Sequence, residues 1–397
     1  MSGTKRHITI LAAALFLLGA GAIMASAQGL WRGTVYIPES TIERPQDVGI
    51  AGHTNHVIMD GPMYGLGPGQ GMTPAQIRSF YDMPSAGGGG VIAVVDAYDF
   101  PDAVSNFNTF AAEFKLPQET STAPTASSNR VFQVVYQGGV RPRQNVSWNQ
   151  EEALDIEWTH AMAPNAKIVL VEAQSSGLSD LYAAVDLAAS ITDVKQVSMS
   201  WGGSETPGEI ELDSHFNKSG PTFLAASGDN GAATSYPAVS PYVVAVGGTT
   251  VNTTSRGAFE SEVGWQYSGG GTSRYETKPK WQVSVVNTGV RRSIPDISAD
   301  ADPNTGVCVY GPTGSWWGPA FGWMVFGGTS ASTASMAGMV NLSGSSYPST
   351  TLLLEHIYSE LGTAHIRDIT VGSNGLPCLK GWDFVTGVGV PLGTAAP

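Results

Sequence analysis

Lys167-Ile168-Val169-Leu170-Val171-Glu172-Ala173 is a run of mostly aliphatic and β-branched residues, and the helical pattern Asp180–Ile191 separates it from a second such run, Gln196–Trp201. Strand, helix, strand at this spacing makes a crossover unit whose two strands lie parallel, each buried on both faces. The alternation continues outward. Val91–Ala97 and Val131–Tyr136 come before it, with helical patterns at Asp102–Phe114 and Glu151–Met162, and Thr222–Ala226 and Tyr242–Gly247 come after it. The predicted fold class is therefore α/β: a doubly wound, mostly parallel sheet with helices on both faces. Thr73-Pro74-Ala75-Gln76 marks a helix start, with Thr73 as N-cap, Pro74 in the first helical position and Gln76 closing the capping box. The glycines Gly87–Gly90 read as a turn before the first strand.

A chain of 397 residues, 42% of them hydrophobic, can bury a large core as one big domain or two smaller ones. Only 13% are charged and the formal net charge is −13, which excludes the basic surface a nucleic-acid partner requires and suits work in acid, where protonation relieves self-repulsion. Lys5 and Arg6 precede an apolar run, Ile8–Met24, and Ala25-Ser26-Ala27 follows as a cleavage signal, so residues 1–27 read as an export signal peptide and the mature chain as secreted or periplasmic, off the membrane. The run also approaches the length of an uncleaved anchor. Residues 28–68 are polar and turn-rich, with Pro38, Pro45 and Gly61-Pro62, and read as a short leader or amino-terminal extension; 69–397 hold the regular pattern. Cys308 and Cys378 allow one disulfide or two buried thiols, a choice left to geometry.

In open α/β sheets the site lies beyond the carboxyl ends of the strands. Asp229, in Ser227-Gly228-Asp229, follows the run Thr222–Ala226, and Glu151 and Asp155 lie four apart on a helix, so their carboxylates share a face. Ser147 or Asn149 is the expected cap of that helix. Phe326-Gly327-Gly328-Thr329-Ser330-Ala331 sets a serine behind two glycines, at the head of the small-residue run Ala331–Gly338. Each motif has an ordinary reading: a solvated helix face, a turn aspartate, a tightly packed helix start. None of the seven histidines sits in a recognisable glycine-flanked setting for a base. Asp96, His160 and Ser330 reproduce the chain order of one Asp-His-Ser triad, but His160, in Trp158-Thr159-His160-Ala161-Met162, reads as a packed or surface side chain.

Taken together, Glu151–Asp155, Ser227-Gly228-Asp229 and Gly327-Gly328-Thr329-Ser330 resemble the three catalytic blocks of the sedolisin family of serine-carboxyl peptidases, which have a subtilisin-like fold. Val94–Asp99, Ser198-Met199-Ser200-Trp201-Gly202 with Glu205, Tyr236-Pro237-Ala238, Gly247-Gly248-Thr249 and Pro295-Asp296-Ile297 agree with it, and the resemblance runs from about Thr73 to Pro391. It implies that Ser330 attacks the scissile carbonyl of a protein or peptide substrate, that Glu151 is its base with Asp155 tuning it, and that a protonated Asp229 donates to the oxyanion. It also implies one structural Ca²⁺ held by the side chains of Asp368 and Asp383 and the carbonyls of Ile369, Leu379 and Gly381. Activity confined to acid pH and a monomer are the expectations, and Ser235 is a candidate wall of the pocket for the residue before the cut. Leu379 departs from a glycine seen in some relatives, and Ala334 from a common proline. Family members usually carry a long pro-region, whereas about forty residues separate Ala27 from the regular pattern here. The alternative from another class is an exported noncatalytic protein that keeps the peptide groove.

Overall fold

The computed structural model describes residues 30–32, 34–59, 71–314 and 320–397. The expected signal peptide lies outside them. Four short strands come first, β1 (Leu30–Arg32), β2 (Val35–Ile37), β3 (His53–Thr54) and β4 (Val57–Met59), then helix α1 (Pro74–Phe80) with the Thr73 capping box read from sequence. The alternating part runs β5 (Val91–Ala97), α2 (Ala103–Glu113), β6 (Phe132–Tyr136), α3 (Val146–Met162), β7 (Lys167–Ala173), α4 (Leu178–Ser190), β8 (Val194–Met199) and β9 (Trp201–Ser204). A single turn, α5 (Glu209–Leu212), leads to β10 (Thr222–Ala226), β11 (Ser235–Tyr236), β12 (Val244–Thr253) and β13 (Phe259–Gly264). The rest comprises β14 (Gly271–Thr272), β15 (Ser293–Ile294), β16 (Ile297–Asp300), β17 (Val307–Pro312), β18 (Phe321–Gly327), α6 (Thr329–Leu342), α7 (Thr350–Ser359), β19 (Ile366–Arg367) and β20 (Val390–Pro391).

The central sheet has strand order β13-β12-β10-β8-β5-β7-β6, with β16 also pairing β12. Every pairing in it is parallel except that of β13 with β12, so the fold is the doubly wound α/β architecture that the sequence pattern predicts. Successive side chains on a strand point to opposite faces. Ile92, Val94, Ile168 and Leu170 therefore join one core with residues of α2, α3 and α6, while Ala93, Val95, Val169 and Val171 pack with Leu181 and Val185 of α4 on the other. Both layers belong to one large subtilisin-like domain.

Two helices are buried nearly all round, and they carry the chemistry. In α3 every residue from Trp148 to Met162 is buried, as is all of α6. Neither helix can show a polar stripe, because it has no solvent face. They pack closely because α6 is built of small residues: a Cβ on Gly338 would press into Met162 and lie 2.8 Å from the Thr159 carbonyl oxygen. The cap of α3 is Asn145, whose Oδ1 accepts the amides of Ser147 and Trp148 at 3.0 and 3.3 Å, and not Ser147 or Asn149. The helix thus starts one turn earlier than the apolar pattern suggests.

Residues 30–59, read as a leader, are woven into the body. β1, β2 and β4 join β18 and β17 in a five-stranded antiparallel sheet, and β3 pairs β9. Short strands with no sustained alternation leave no periodic signal, since their partners and not their own pattern specify them. Cys308 and Cys378 are both buried free thiols.

Candidate active site

α3 delivers Glu151 and Asp155 to the carboxyl end of the sheet, one turn apart and both fully buried. Burial pushes the Glu151 carboxyl well above its usual range, while the polar groups around it, Ser330 first, oppose that shift. Asp155 is likewise raised well above the usual range by burial and then by the nearby charges of Asp96 and Glu151. Ser200, just after β8, fixes it by donating its hydroxyl to Asp155 Oδ1 at 2.8 Å. Asp96, at the end of β5, is fully buried and raised for the same reasons, burial first and Glu151 second. Three carboxyl groups thus share one dry pocket beside a serine.

Ser330 occupies the first turn of α6, where the leading backbone N–H groups have no partner within the helix. Gly328 makes the entry possible with φ of 96°, a conformation L side chains avoid. The Thr329 amide and its hydroxyl both donate to Asp229 Oδ1 at 2.8 Å, which ties Asp229, beyond the end of β10, to the helix start. A Cβ on Gly328 would lie 2.6 Å from Asp229 Oδ2 and closer still to the Asn55 carbonyl oxygen, so these two oxygens flank one point. The Ser330 N–H donates to that same Asn55 oxygen at 3.1 Å, and the Ser330 hydroxyl donates to the Ser200 carbonyl at 3.2 Å. A cavity of about 440 Å³ opens beside Asn55, Asp229 and Trp265. The four side chains singled out from sequence therefore meet at one place.

The rival triad does not form. Nine residues along a helix turn a side chain to the opposite face, so His160 points away from Glu151. Its Nε2 meets the Pro117 carbonyl at 2.8 Å, its ring packs on Phe107, and burial pushes its pKa down to about 4. A different histidine does enter the site. His56, from the amino-terminal segment, is fully buried, stacks on Phe326 and places Nδ1 2.7 Å from Glu151 Oε2. Its sequence setting, Thr54-Asn55-His56-Val57, carries no motif, and only the pairing of β3 and β4 with distant strands brings it here.

Ser235 lies on β11, opposite Ser204 of β9, with its hydroxyl 3.2 Å from the Ser227 carbonyl. In the carboxyl-terminal loop the Gly381 amide donates to Asp368 Oδ2 and the Leu379 amide to Asp383 Oδ2, both at 2.9 Å. Val385 and Thr386 amides add bonds to Asp383 Oδ1, whereas Asp368 Oδ1 is buried without a hydrogen-bond partner. A buried carboxylate oxygen left over suits a cation. Among the described residues no three His, Cys, Asp or Glu side chains are placed to hold a metal ion together, so a cation here would draw its remaining oxygens from backbone carbonyls.

Residues 145–375 match the model of the subtilase family. Sedolisin from Pseudomonas sp. (strain 101) is 27% identical over 367 residues, and kumamolisin from Bacillus sp. (strain MN-32) 29% identical over 364, each alignment covering 81% of this chain. The solved structure of Pseudomonas sedolisin, a serine-carboxyl proteinase complexed with two molecules of pseudo-iodotyrostatin, superposes with a TM-score of 0.66 at 28% identity, covering 82% of this chain and 96% of that one. The chain belongs to the sedolisin family, within the wider subtilase family. It spans 60% and 62% of the lengths of the sedolisin and kumamolisin relatives.

Proposed function

We propose that this sedolisin-family chain is an acid-acting serine-carboxyl endopeptidase. The observation that carries the reading is the gathering of two fully buried carboxyl groups, Glu151 and Asp155, beside Ser330 at the head of α6. Ser330 Oγ attacks the substrate carbonyl and Glu151 takes its proton, later delivering it to the departing amine; water then releases the acyl group by the reverse proton path. Asp155, held by Ser200, keeps Glu151 oriented, and the pair shares its protons as a unit. The Ser330 N–H and a protonated Asp229, itself held by Thr329, stabilise the oxyanion. Replacing Ser330 by Ala, or Glu151 by Gln, abolishes hydrolysis of a denatured protein at pH 4 while leaving the fold intact by circular dichroism. Equal cleavage by wild type and Ser330→Ala would remove the nucleophile assignment and leave the peptide-binding alternative.

The reading extends to a secreted or periplasmic monomer that acts on protein or peptide substrates. For export it is supported by the sequence of residues 1–27. Asp368 and Asp383, with carbonyls of Ile369, Leu379 and Gly381, would hold Ca²⁺ as a clamp on the loop between β19 and β20, with no part in the chemistry. A small pocket wall at Ser235 favours no charged residue before the cut.

A further inference from the structure

Lys280–Gln282 form a single tight turn, and the loop that follows, Val283-Ser284-Val285-Val286-Asn287-Thr288-Gly289-Val290, carries four valines. Val285 is half-buried and packs against the core. The other three stand out in water: Val283, Val286 and Val290 are 68%, 77% and 90% exposed, more than any other large hydrophobic side chain among the described residues. Folding leaves them there because the loop is braced from within. The Thr288 hydroxyl lies 3.3 and 2.9 Å from the Gln282 and Val285 carbonyls, closing the turn, and the Gly289 amide donates to the Ser293 hydroxyl at 2.8 Å. Asn287 Nδ2 donates to the Trp382 carbonyl at 3.0 Å, which sets the loop beside the segment that carries the exposed Lys380. The charges on this side are of one sign. From Arg274 to Arg291 the chain has Arg274, Lys278, Lys280 and Arg291 against a single acid, Glu276, which is buried, although acids outnumber Lys and Arg by 33 to 20 over the whole sequence. Arg274, Lys280 and Arg291 are exposed; Lys280 meets Glu355 at 2.6 Å and still shows 77% of its side chain to solvent.

A single exposed apolar side chain is ordinary, whereas three held out on one braced loop mark a contact surface. Valine is a poor anchor for a protein partner, whose binding energy concentrates on tryptophan, tyrosine and arginine seated in pockets. Aliphatic tips ringed by cations match a bilayer surface, which offers phosphate charge on the outside and hydrocarbon beneath it. From this arrangement we propose that the segment Arg274–Arg291 is a docking surface for an anionic phospholipid bilayer: Val283, Val286 and Val290 enter the acyl boundary while Arg274, Lys280 and Arg291 meet the headgroup phosphates. The long stems of Lys and Arg keep their charges at the phosphate level as the valines go deeper. The contact is peripheral and reversible and crosses nothing, so the mature chain, expected to lie off the membrane, rests on its surface. None of Glu151, Asp155, Asp229 and Ser330 takes part, and the inference stands apart from the peptidase reading.

The test is co-sedimentation with vesicles, at pH 5 and low salt, of the chain from Gln28 onward, which holds every described residue and lacks the apolar run Ile8–Met24. It carries Ser330→Ala so that it cannot digest itself, and the vesicles are phosphatidylcholine alone or phosphatidylcholine mixed with phosphatidylglycerol. Binding is expected to the mixed vesicles only, and added salt weakens it. Val283→Ser, Val286→Ser and Val290→Ser together lower the affinity about tenfold or more. Arg274→Gln, Lys280→Gln and Arg291→Gln each lower it about fivefold. Val140→Ser, at a valine exposed elsewhere, leaves it unchanged, and all variants keep the parent Tm because the side chains replaced are exposed. Binding to both kinds of vesicle alike or to neither, valine or charge variants that bind like the parent, or a parent chain that is a dimer until the valines are replaced, overturns the inference, the last by giving the patch to a second copy of the chain.

Discussion

At Asp229 the geometry separates the donor role from the mere presence of a carboxyl group. Thr329 directs two hydrogens at Oδ1, so the other oxygen is the one turned toward the Asn55 carbonyl, and it donates only while it carries a proton. Asp229→Ala should lower kcat by about 10²–10³ with KM nearly unchanged, the range typical of losing one oxyanion donor. Asp229→Asn keeps an acceptor for Thr329 and supplies an N–H in place of the acid proton. It should retain more activity than the alanine variant and lose it at higher pH than wild type does. Steady-state kinetics from pH 3 to 7 check both, and an alanine variant at wild-type kcat would remove Asp229 from the oxyanion site. Side chains such as Asp229, Glu151 and Ser330 were legible in the sequence because the chemistry demands those residue types in short local settings. His56 was not, because nothing local marks it: its place follows from β3 pairing β9 and β4 pairing β18, contacts some 150 and 270 residues apart in the chain.

Among elements, the contact between α3 and α6 sets how far the base stands from the nucleophile. Gly338 is the close point, and alanine there would meet Met162 and the Thr159 carbonyl. Gly338→Ala should cost about 1–3 kcal/mol, the usual price of overpacking a tight core, and lower kcat as well, since it pushes Ser330 away from Glu151. Urea unfolding and kinetics on one preparation read both, and a variant of unchanged stability would show that the helices yield without moving the site. The loop between β19 and β20 makes a second prediction at this scale. Chelation should lower Tm if Ca²⁺ bridges Asp368 and Asp383, by the equivalent of about 2.7 kcal/mol where calcium stood a hundredfold above its Kd. Asp368→Asn should abolish the response to chelator, and an unaltered Tm in wild type would dismiss the ion. The crossover strands were readable since each is buried on both faces and apolar throughout. α3 was misjudged at its start because the cap, Asn145, lies before two residues that break the apolar pattern, and β9 merged with β8 because Ser200 separates them without a turn signal.

At the scale of the molecule, several carboxyl groups are buried with too little positive charge nearby to offset their desolvation, and their protons become part of the fold. Burial pushes Glu276 up to about 7, Glu172 up to about 8 and Glu209 up to about 9, against an ordinary 4.5, while Glu151, Asp155 and Asp96 are raised in the same direction by the same cause. The net charge of −13 hinted at acid conditions, but composition could not say which acids would be buried, because that depends on α3 having no solvent face. A carboxyl raised in the folded state keeps its proton where the unfolded chain has lost it, so above pH 4.5 the folded form binds more protons and stability falls as pH rises. The contribution is whole below pH 4.5 and is lost progressively up to pH 7–9, the folded values of Glu276, Glu172 and Glu209. Buried histidines work the other way: His56 and His160, pushed down to about 3 and about 4, favour the fold less as pH drops below 6.5. The raised carboxyls outnumber them, so Tm should be higher at pH 4.5 than at pH 8, falling steadily between. Calorimetry of the Ser330→Ala chain, which cannot digest itself, measures this without interference, and a Tm that rises from pH 4.5 to 8 would mean that the buried acids are ionised and paired in the folded protein.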